Sequence, residues 1–551
     1  MRRIRFLMFS LLIVISLALA ACQPAAPAAP AAPAAPAEES AAPATEEAAA
    51  PAGPRQGGTL VLMGHHDAFS LSPGLGAIPS AIRPALMQIH NALVEIDASN
   101  AVVPVLAESY DISKDGLTYT FKLHEGVKFH DGADFTCKDV KYTFDYYRDE
   151  ENAAPAAGAL AKIDSVECVD DYNVVIYMSQ VDAAFLVLGV ILRIVQSEYH
   201  AEVGEEVYAT APIGTGSFKL VEWRPSEFTM LEAFDDHFRG RPYLDFLRVD
   251  VVPETSVRTI ALESGDADGT AWPLIMEDNV RLRNDPRFTS ISQPGAGPFL
   301  IPLNNTIPQL SDKRVRQALY WGLDRQRIVD DLWFGQGQVA HSNLSPIYPD
   351  YYNADIPHYE YDPEKAMALL DEAGWVDEDG DGVREKDGDR LSFDVHVGTG
   401  NQSFLAIIEL AQQLWADIGI EIFIVETPVA ALLDGMRNCE MDAAMIAFEH
   451  GAIDPDPHWM MHTEGANNFP CISNPKLDAL IDEGLSYALV EQRQPIYNEI
   501  QAMIMDEAPV LELFFTHWPA IFNAKVKGMS LDAVDTNRLW REIHLWWIEE
   551  E

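Results

Sequence analysis

Several clusters of side chains in this sequence have the types and spacing to do chemistry. His458 and His462 stand four residues apart, which places two imidazoles on one helix face where they could grip a metal ion. His450 lies nearby, but no third ligand stands out in the sequence, and such pairs are commonly ordinary surface or core residues. His65-His66-Asp67 is a weaker grouping of the same kind. The segment 377–388 places Asp377, Asp379, Asp381 and Glu385 at positions 1, 3, 5 and 9 of a calcium-type loop, with Gly382 at position 6. Gly388 occupies position 12, where such loops carry a bidentate glutamate. Either a structural calcium or a plain acidic hairpin fits that pattern. No other cofactor is implied.

Catalysis finds little support. There is no Gly-x-Ser-x-Gly elbow, no His-Glu-x-x-His and no phosphate-binding P-loop. Ser473-x-x-Lys476 matches a hydrolase dyad only by letters, because Asn474-Pro475 reads as a helix start. The expectation is a binding protein and not an enzyme, with an exported hydrolase as the rival of another class.

Charge and compartment narrow the partners. The 551 residues carry a formal net charge of −47, so the phosphates of a nucleic acid would be repelled. Residues 1–21 read as a secretory signal, with Arg2, Arg3 and Arg5 ahead of an apolar run too short to span a bilayer. Leu19-Ala-Ala-Cys22 resembles a bacterial lipobox, which makes Cys22 the expected lipidated residue. The Ala/Pro-rich stretch that fills most of 22–56 reads as a spacer without a core. The expected location is therefore the cell envelope, either at the outer face of the cytoplasmic membrane or in the periplasm, with contact to the membrane through the lipid anchor only. Four cysteines remain, and an exported chain invites disulfides among them. Three connectivities exist; proximity in sequence favours Cys137 with Cys168 and Cys439 with Cys471.

The elements that must position these groups fall into two textures. Residues 58–63 predict a buried strand, and Tyr119, Phe121 and Leu123 alternate with polar neighbours as a half-buried strand does. Val127 and Phe129 resume that alternation before the Asp131-Gly132 turn. Thr136 and Asp139 resemble a capping box. Beyond residue 311 the rhythm becomes helical. Ser311 is the expected cap of one helix, and Asp362-Pro363 opens another that Gly374 stops. A strand (391–397), helix (403–417), strand (420–426), helix (429–437) and strand (442–448) then predict βαβ crossovers and a largely parallel sheet.

Several blocks in order carry a family resemblance. They are Tyr119 to Phe144, Pro212 to Leu220, Arg314 to Leu319 with Leu323-Asp-Arg325, Tyr361 to Ala366 with Ala373-Gly-Trp375, Asp454 to Pro457, and Ser473 to Ala479. Together they resemble the extracytoplasmic solute-binding proteins of ABC importers, specifically the peptide/nickel-type family. That resemblance implies an α/β, two-lobed clamshell of the periplasmic-binding-protein kind, with mixed sheets and an extra β-rich subdomain in the first lobe. It places lobe I at about 57–301 plus 512–551, the inserted subdomain at about 105–210 and lobe II at about 302–511. Hinge strands are expected near Leu303 and Leu513.

The same resemblance implies a monomer that captures a solute, with a peptide favoured over an oligosaccharide, an opine-like compound or a metal chelate. A permease and an ATPase on separate chains would receive it. The family's peptide binders hold their ligand as an added strand, and an aspartate a few residues before the proline of the Asp-Pro block pairs with the peptide ammonium. Here those places hold Gly451 and Ile453, so Asp454, Asp456 or Glu449 would have to substitute, unless the aspartates only shape a turn. Phe69, Trp272, His450 and Trp459 complete the expected binding residues.

Overall fold

The computed structural model describes residues 53–549, apart from 69, 74–82, 98–100, 155–156, 187–191, 273, 293, 448–454, 518 and 531–538. The signal segment, Cys22, nearly all of the spacer, Phe69, His450 and Asp454 lie outside the described residues. Among the described residues no helix is long and apolar enough to cross a membrane.

Lobe I is built on a seven-stranded sheet. Its elements are β1 (Thr59–Gly64), β6 (Phe218–Arg224), β7 (Phe228–Ala233), β8 (Phe246–Val251), β9 (Gly269–Thr270), β10 (Phe288–Ile291) and β18 (Ala520–Asn523), in the order β10-β18-β9-β1-β8-β7-β6. The central strand β1 is parallel to both β8 and β9. Leu60 and Leu62 of β1 are fully buried, as the apolar run 58–63 predicts. They join a core with Phe522, Trp540 and Trp546 contributed by the returning C-terminal segment.

Between β1 and β6 lies the inserted subdomain. Four antiparallel strands, β2 (Ala107–Ile112), β3 (Thr118–Leu123), β4 (Ile163–Asp170) and β5 (Asn173–Met178), pair in the order β2-β3-β5-β4. Alternation decides which face of β3 is buried: Tyr119 and Phe121 lie opposite Ile176 and Val174 of β5 and pack inward. The alternation at Val127 and Phe129 does not make a further strand of the sheet; both side chains are buried in a turn held by a bridge between Lys128 and Asp134. Helix α1 (Cys137–Arg148) opens with the expected reciprocal box, in which Lys138 N–H donates to the Thr136 hydroxyl and Thr136 N–H to the Asp139 carboxylate.

Lobe II carries α2 (Lys313–Trp321), α3 (Pro363–Ala373), β13 (Ser392–Gly398), α4 (Gln402–Ala416), β14 (Glu421–Thr427), α5 (Val429–Arg437) and β15 (Ala443–Ala444). The parallel order β14-β13-β15 is the predicted product of βαβ crossovers. One boundary differs: Asp312, not Ser311, caps α2 by accepting from Arg314 N–H, because the Ser311 hydroxyl is turned back onto the Pro308 carbonyl.

A separate antiparallel sheet, β12-β17-β11-β16, is made of β11 (Pro294–Pro302), β12 (Gly337–Val339), β16 (Ile446–Ala447) and β17 (Val510–His517). Strands β11 and β17, which lie at the expected hinge positions, pair over most of their length, and their buried side chains join the core of α2, α4 and β13. Stacked Phe299 and Phe514 rings, 4.6 Å apart, lock that pairing. The predicted strand 442–448 is divided: β15 completes the lobe II sheet, and after Met445 the chain moves into the antiparallel sheet as β16. Helices α6 (His458–Met461), α7 (Pro475–Leu485) and α8 (Val490–Glu507) finish lobe II before β17.

Candidate functional site

In open α/β sheets, ligands collect at the carboxyl ends of the parallel strands. In lobe I that edge carries His65, His66 and Trp272. The β1–β9 register pairs Met63 with Thr270. Two residues further on, the same offset brings His65 beside Trp272, with ring centroids 4.2 Å apart, and His66 lies 3.7 Å from His65. Burial, helped by His66 and Arg258, lowers the His65 pKa to about 4, and its buried Nδ1 has no hydrogen-bond partner. His65 is thus a neutral, half-buried ring beside Trp272, with His66 exposed next to it. Asp67 is spent on structure, accepting from the Trp223 indole and from the backbone of Ala68 and Ser226. In lobe II the corresponding edge carries His396, whose Nδ1 is 2.9 Å from the Thr427 hydroxyl.

Across the molecule, a cavity of about 290 Å³ lies between the inserted subdomain and lobe II. Ile96, Val102, Tyr110, Ile112 and Ala183 line one side; Tyr348, Asp350, Tyr351, Pro455, Glu491 and Arg493 line the other. Its size is close to the lower end of small-ligand pockets, and its mix of apolar wall and few polar groups is typical of them. Arg493, in the first turn of α8, is buried, and its guanidinium lies about equally over the rings of Tyr351 and Tyr497, at 5.1 and 4.9 Å. Its Nη2 donates to the Tyr497 hydroxyl (2.7 Å) and its Nη1 to the Tyr351 hydroxyl (3.1 Å) and the Ala183 carbonyl (3.5 Å). The last bond joins lobe II to the inserted subdomain. Sequence reasoning missed Arg493; the only local signal was an arginine four residues before a tyrosine on a helix.

The expected site residues separate. Trp272 is placed on the lobe I strand edge. Trp459 packs against the α7–α8 core, so much of its surface serves lobe II packing. Asp456 accepts from His458 N–H at 2.7 Å and thereby starts α6, which is the turn-shaping role that Asp-Pro segments favour. His458 and His462 do stack, at 4.3 Å, and α7 brings Asp482 to 3.6 Å from His462 Nε2. However, Glu464 N–H donates to His462 Nδ1, which puts the neutral ring's proton on Nε2 and makes His462 a donor toward Asp482.

In the acidic loop, one oxygen each of Asp377, Asp379 and Glu385 come within 4.8 Å of one another. Asp377 accepts from Gly380 and Gly382 N–H, and Arg390 pairs with Asp381 at 2.6 Å. Any calcium there would share its carboxylates with that guanidinium. The cysteines form two disulfides, Cys137–Cys168 and Cys439–Cys471.

Comparison with known proteins follows the same outline. The model of the bacterial extracellular solute-binding proteins, family 5, middle region, matches residues 101–469. The oligopeptide-binding protein AppA of Bacillus subtilis is 29% identical over 560 residues, covering 99% of each chain. The dipeptide-binding protein of Escherichia coli is 27% identical, covering 87% of this chain and 93% of its own. The solved structure of Bacillus subtilis AppA in complex with a nonapeptide superimposes with a TM-score of 0.67 at 27% identity, covering 90% of this chain and all of that one.

Proposed function

Because the chain belongs to the family 5 bacterial extracellular solute-binding proteins, we propose that it captures a peptide between its lobes and delivers it to the membrane permease of an ABC importer. The observation that carries this reading is the cavity bounded on one side by the inserted subdomain and on the other by lobe II. A ligand touching both walls is favoured only when they are close, so binding draws the lobes together. Relatives named for oligopeptides and dipeptides supply the substrate class. Peptide main chain offers the same donors and acceptors whatever its sequence, and a carrier of mixed peptides can rely on it. Under this reading the protein works as a monomer in the cell envelope, tethered through a lipid on Cys22, and the energy for transport comes from an ATPase on another chain.

Native mass spectrometry of the purified protein, with calorimetric titration of a peptide mixture, tests the substrate class. A co-purified peptide, and weaker peptide binding by Trp272→Ala at an unchanged melting temperature, are expected. A sugar or a metal chelate in the native spectrum, with no heat from peptides, would overturn it. Membrane fractionation of Cys22→Ala tests the anchor: the variant should be released, and continued membrane attachment would count against lipidation.

A further inference from the structure

A second histidine cluster lies in lobe II, on side chains that do not line the inter-lobe cavity. His341 follows the edge strand β12, and His358 and Glu360, both exposed, flank the buried Tyr359 on a segment that is neither helix nor strand. Tyr359 turns inward and its two neighbours outward, which leaves the His358 and Glu360 side chains on the solvent side. The His341 and His358 rings stack at 3.9 Å with 17° between their planes, and one ligand atom from each of His341, His358 and Glu360 lies within 4.8 Å of the others. We propose that His341, His358 and Glu360 form a binding site for a divalent transition-metal ion of the zinc class.

Three features support it. First, the donor set is right: two imidazoles and a carboxylate suit zinc-class ions, and three protein ligands leave a coordination position open. A pocket of about 110 Å³, lined by Asp324, His341 and Glu360 among others, gives that position access to water or a small ligand. Second, the scaffold is rigid beneath the ligands. The buried guanidinium of Arg325 donates to the Ala340 carbonyl, next to His341, and to the Tyr359 carbonyl, between His358 and Glu360. One side chain thus ties both ligand-bearing segments together, in the manner of supporting groups around a metal centre. Tyr359 is held further by its hydroxyl bond to the Met505 carbonyl (2.7 Å) and by stacking on Tyr320 at 4.4 Å. Third, His341 Nδ1 is buried without a hydrogen-bond partner. Bringing the ligand atoms to the roughly 3.3 Å spacing of a tetrahedral site needs only side-chain rotation, since His358 and Glu360 are exposed. The His458–His462 pair lacks this freedom, because the backbone already occupies one nitrogen of His462.

The test uses the full chain, stripped with EDTA and dialysed against zinc in physiological salt, with bound metal counted by elemental analysis. Wild type and His458→Gln should each hold one zinc per chain. His341→Gln, His358→Gln and Glu360→Gln should lose it, with EDTA melting curves matching wild type for the exposed His358 and Glu360 variants. Absence of bound zinc in wild type, or retention by both His341→Gln and His358→Gln, would overturn the assignment. Loss only in His458→Gln would overturn it equally, by moving the metal to the other cluster.

Discussion

Arg325 meets Glu512 at the backbone and not at the carboxylate. The Arg325 Nη1 donates to the Glu512 main-chain carbonyl at 2.8 Å, while both carboxyl oxygens of Glu512 are buried without a hydrogen-bond partner. Glu512 sits in β17, opposite Leu300 of β11. Desolvation pushes its pKa up to about 8, and the attraction of Arg325 only partly offsets this. The acid is therefore mostly protonated in the folded protein near neutral pH.

The sign of the pH dependence follows. A carboxyl with a raised folded-state pKa contributes stability that is fully present below its ordinary value of 4.5 and is lost as pH rises through about 8. Between those limits the loss is about 1.4 kcal/mol per pH unit. Glu512→Gln keeps the shape and removes the titration. Urea unfolding should show the variant gaining on wild type by roughly 2–5 kcal/mol from acid to mildly alkaline pH. Parallel stability curves for the two proteins would disprove it.

Arg493 should matter to both stability and binding. Alanine there removes the bonds to the Ala183 and Gly484 carbonyls and to the Tyr351 and Tyr497 hydroxyls. The expected cost is about 2–4 kcal/mol in thermal or urea unfolding, with weaker solute binding because the residue lines the cavity. Arg493→Lys should recover little, since an ammonium cannot reproduce the planar fork. Full recovery by lysine would show that charge alone is at work.

The two disulfides close stretches of similar length, 31 and 32 residues apart in sequence. Each should contribute about 2–4 kcal/mol by restricting the unfolded chain. Cys137→Ser/Cys168→Ser and Cys439→Ser/Cys471→Ser should lower the denaturant midpoint by comparable amounts. An unchanged midpoint for either pair would show that its closure does not stabilise the fold.

At the acidic loop, Arg390 lies 2.6 Å from Asp381 and 3.8 Å from both Glu385 and Glu421. It supplies positive charge where a calcium ion would. Arg390→Ala should therefore show a larger rise in melting temperature on adding calcium than wild type does. Equal shifts would mean that guanidinium and cation do not compete.

Much of this architecture was legible locally. Tyr119, Phe121 and Leu123 declare the buried face of their strand by alternation, and Thr136 with Asp139 or Asp362 with Pro363 and Gly374 mark helix ends through bonds only a few residues long. The ordered blocks from Tyr119 to Ala479 carried the family. Ser311 misled because two capping residues stand side by side, and only the turn at Pro308 decides which is free. The strand 442–448 misled because periodicity reports burial and not which of two sheets a strand joins.

What the sequence by itself determined is whatever depends on neighbours along the chain: periodicity, caps and the order of βα units. Only the tertiary structure decided that Arg493 reaches Ala183, that His341 stacks on His358, and that Arg325 turns its guanidinium to the Glu512 carbonyl. The physical reason is separation. A helix cap or an alternating strand is stabilised by residues within a turn or two, and so leaves a pattern to read. Arg493 and Ala183 are 310 positions apart, and Arg325 and Glu512 are 187 apart. No local periodicity records contacts of that kind, because it is tertiary packing that brings them together.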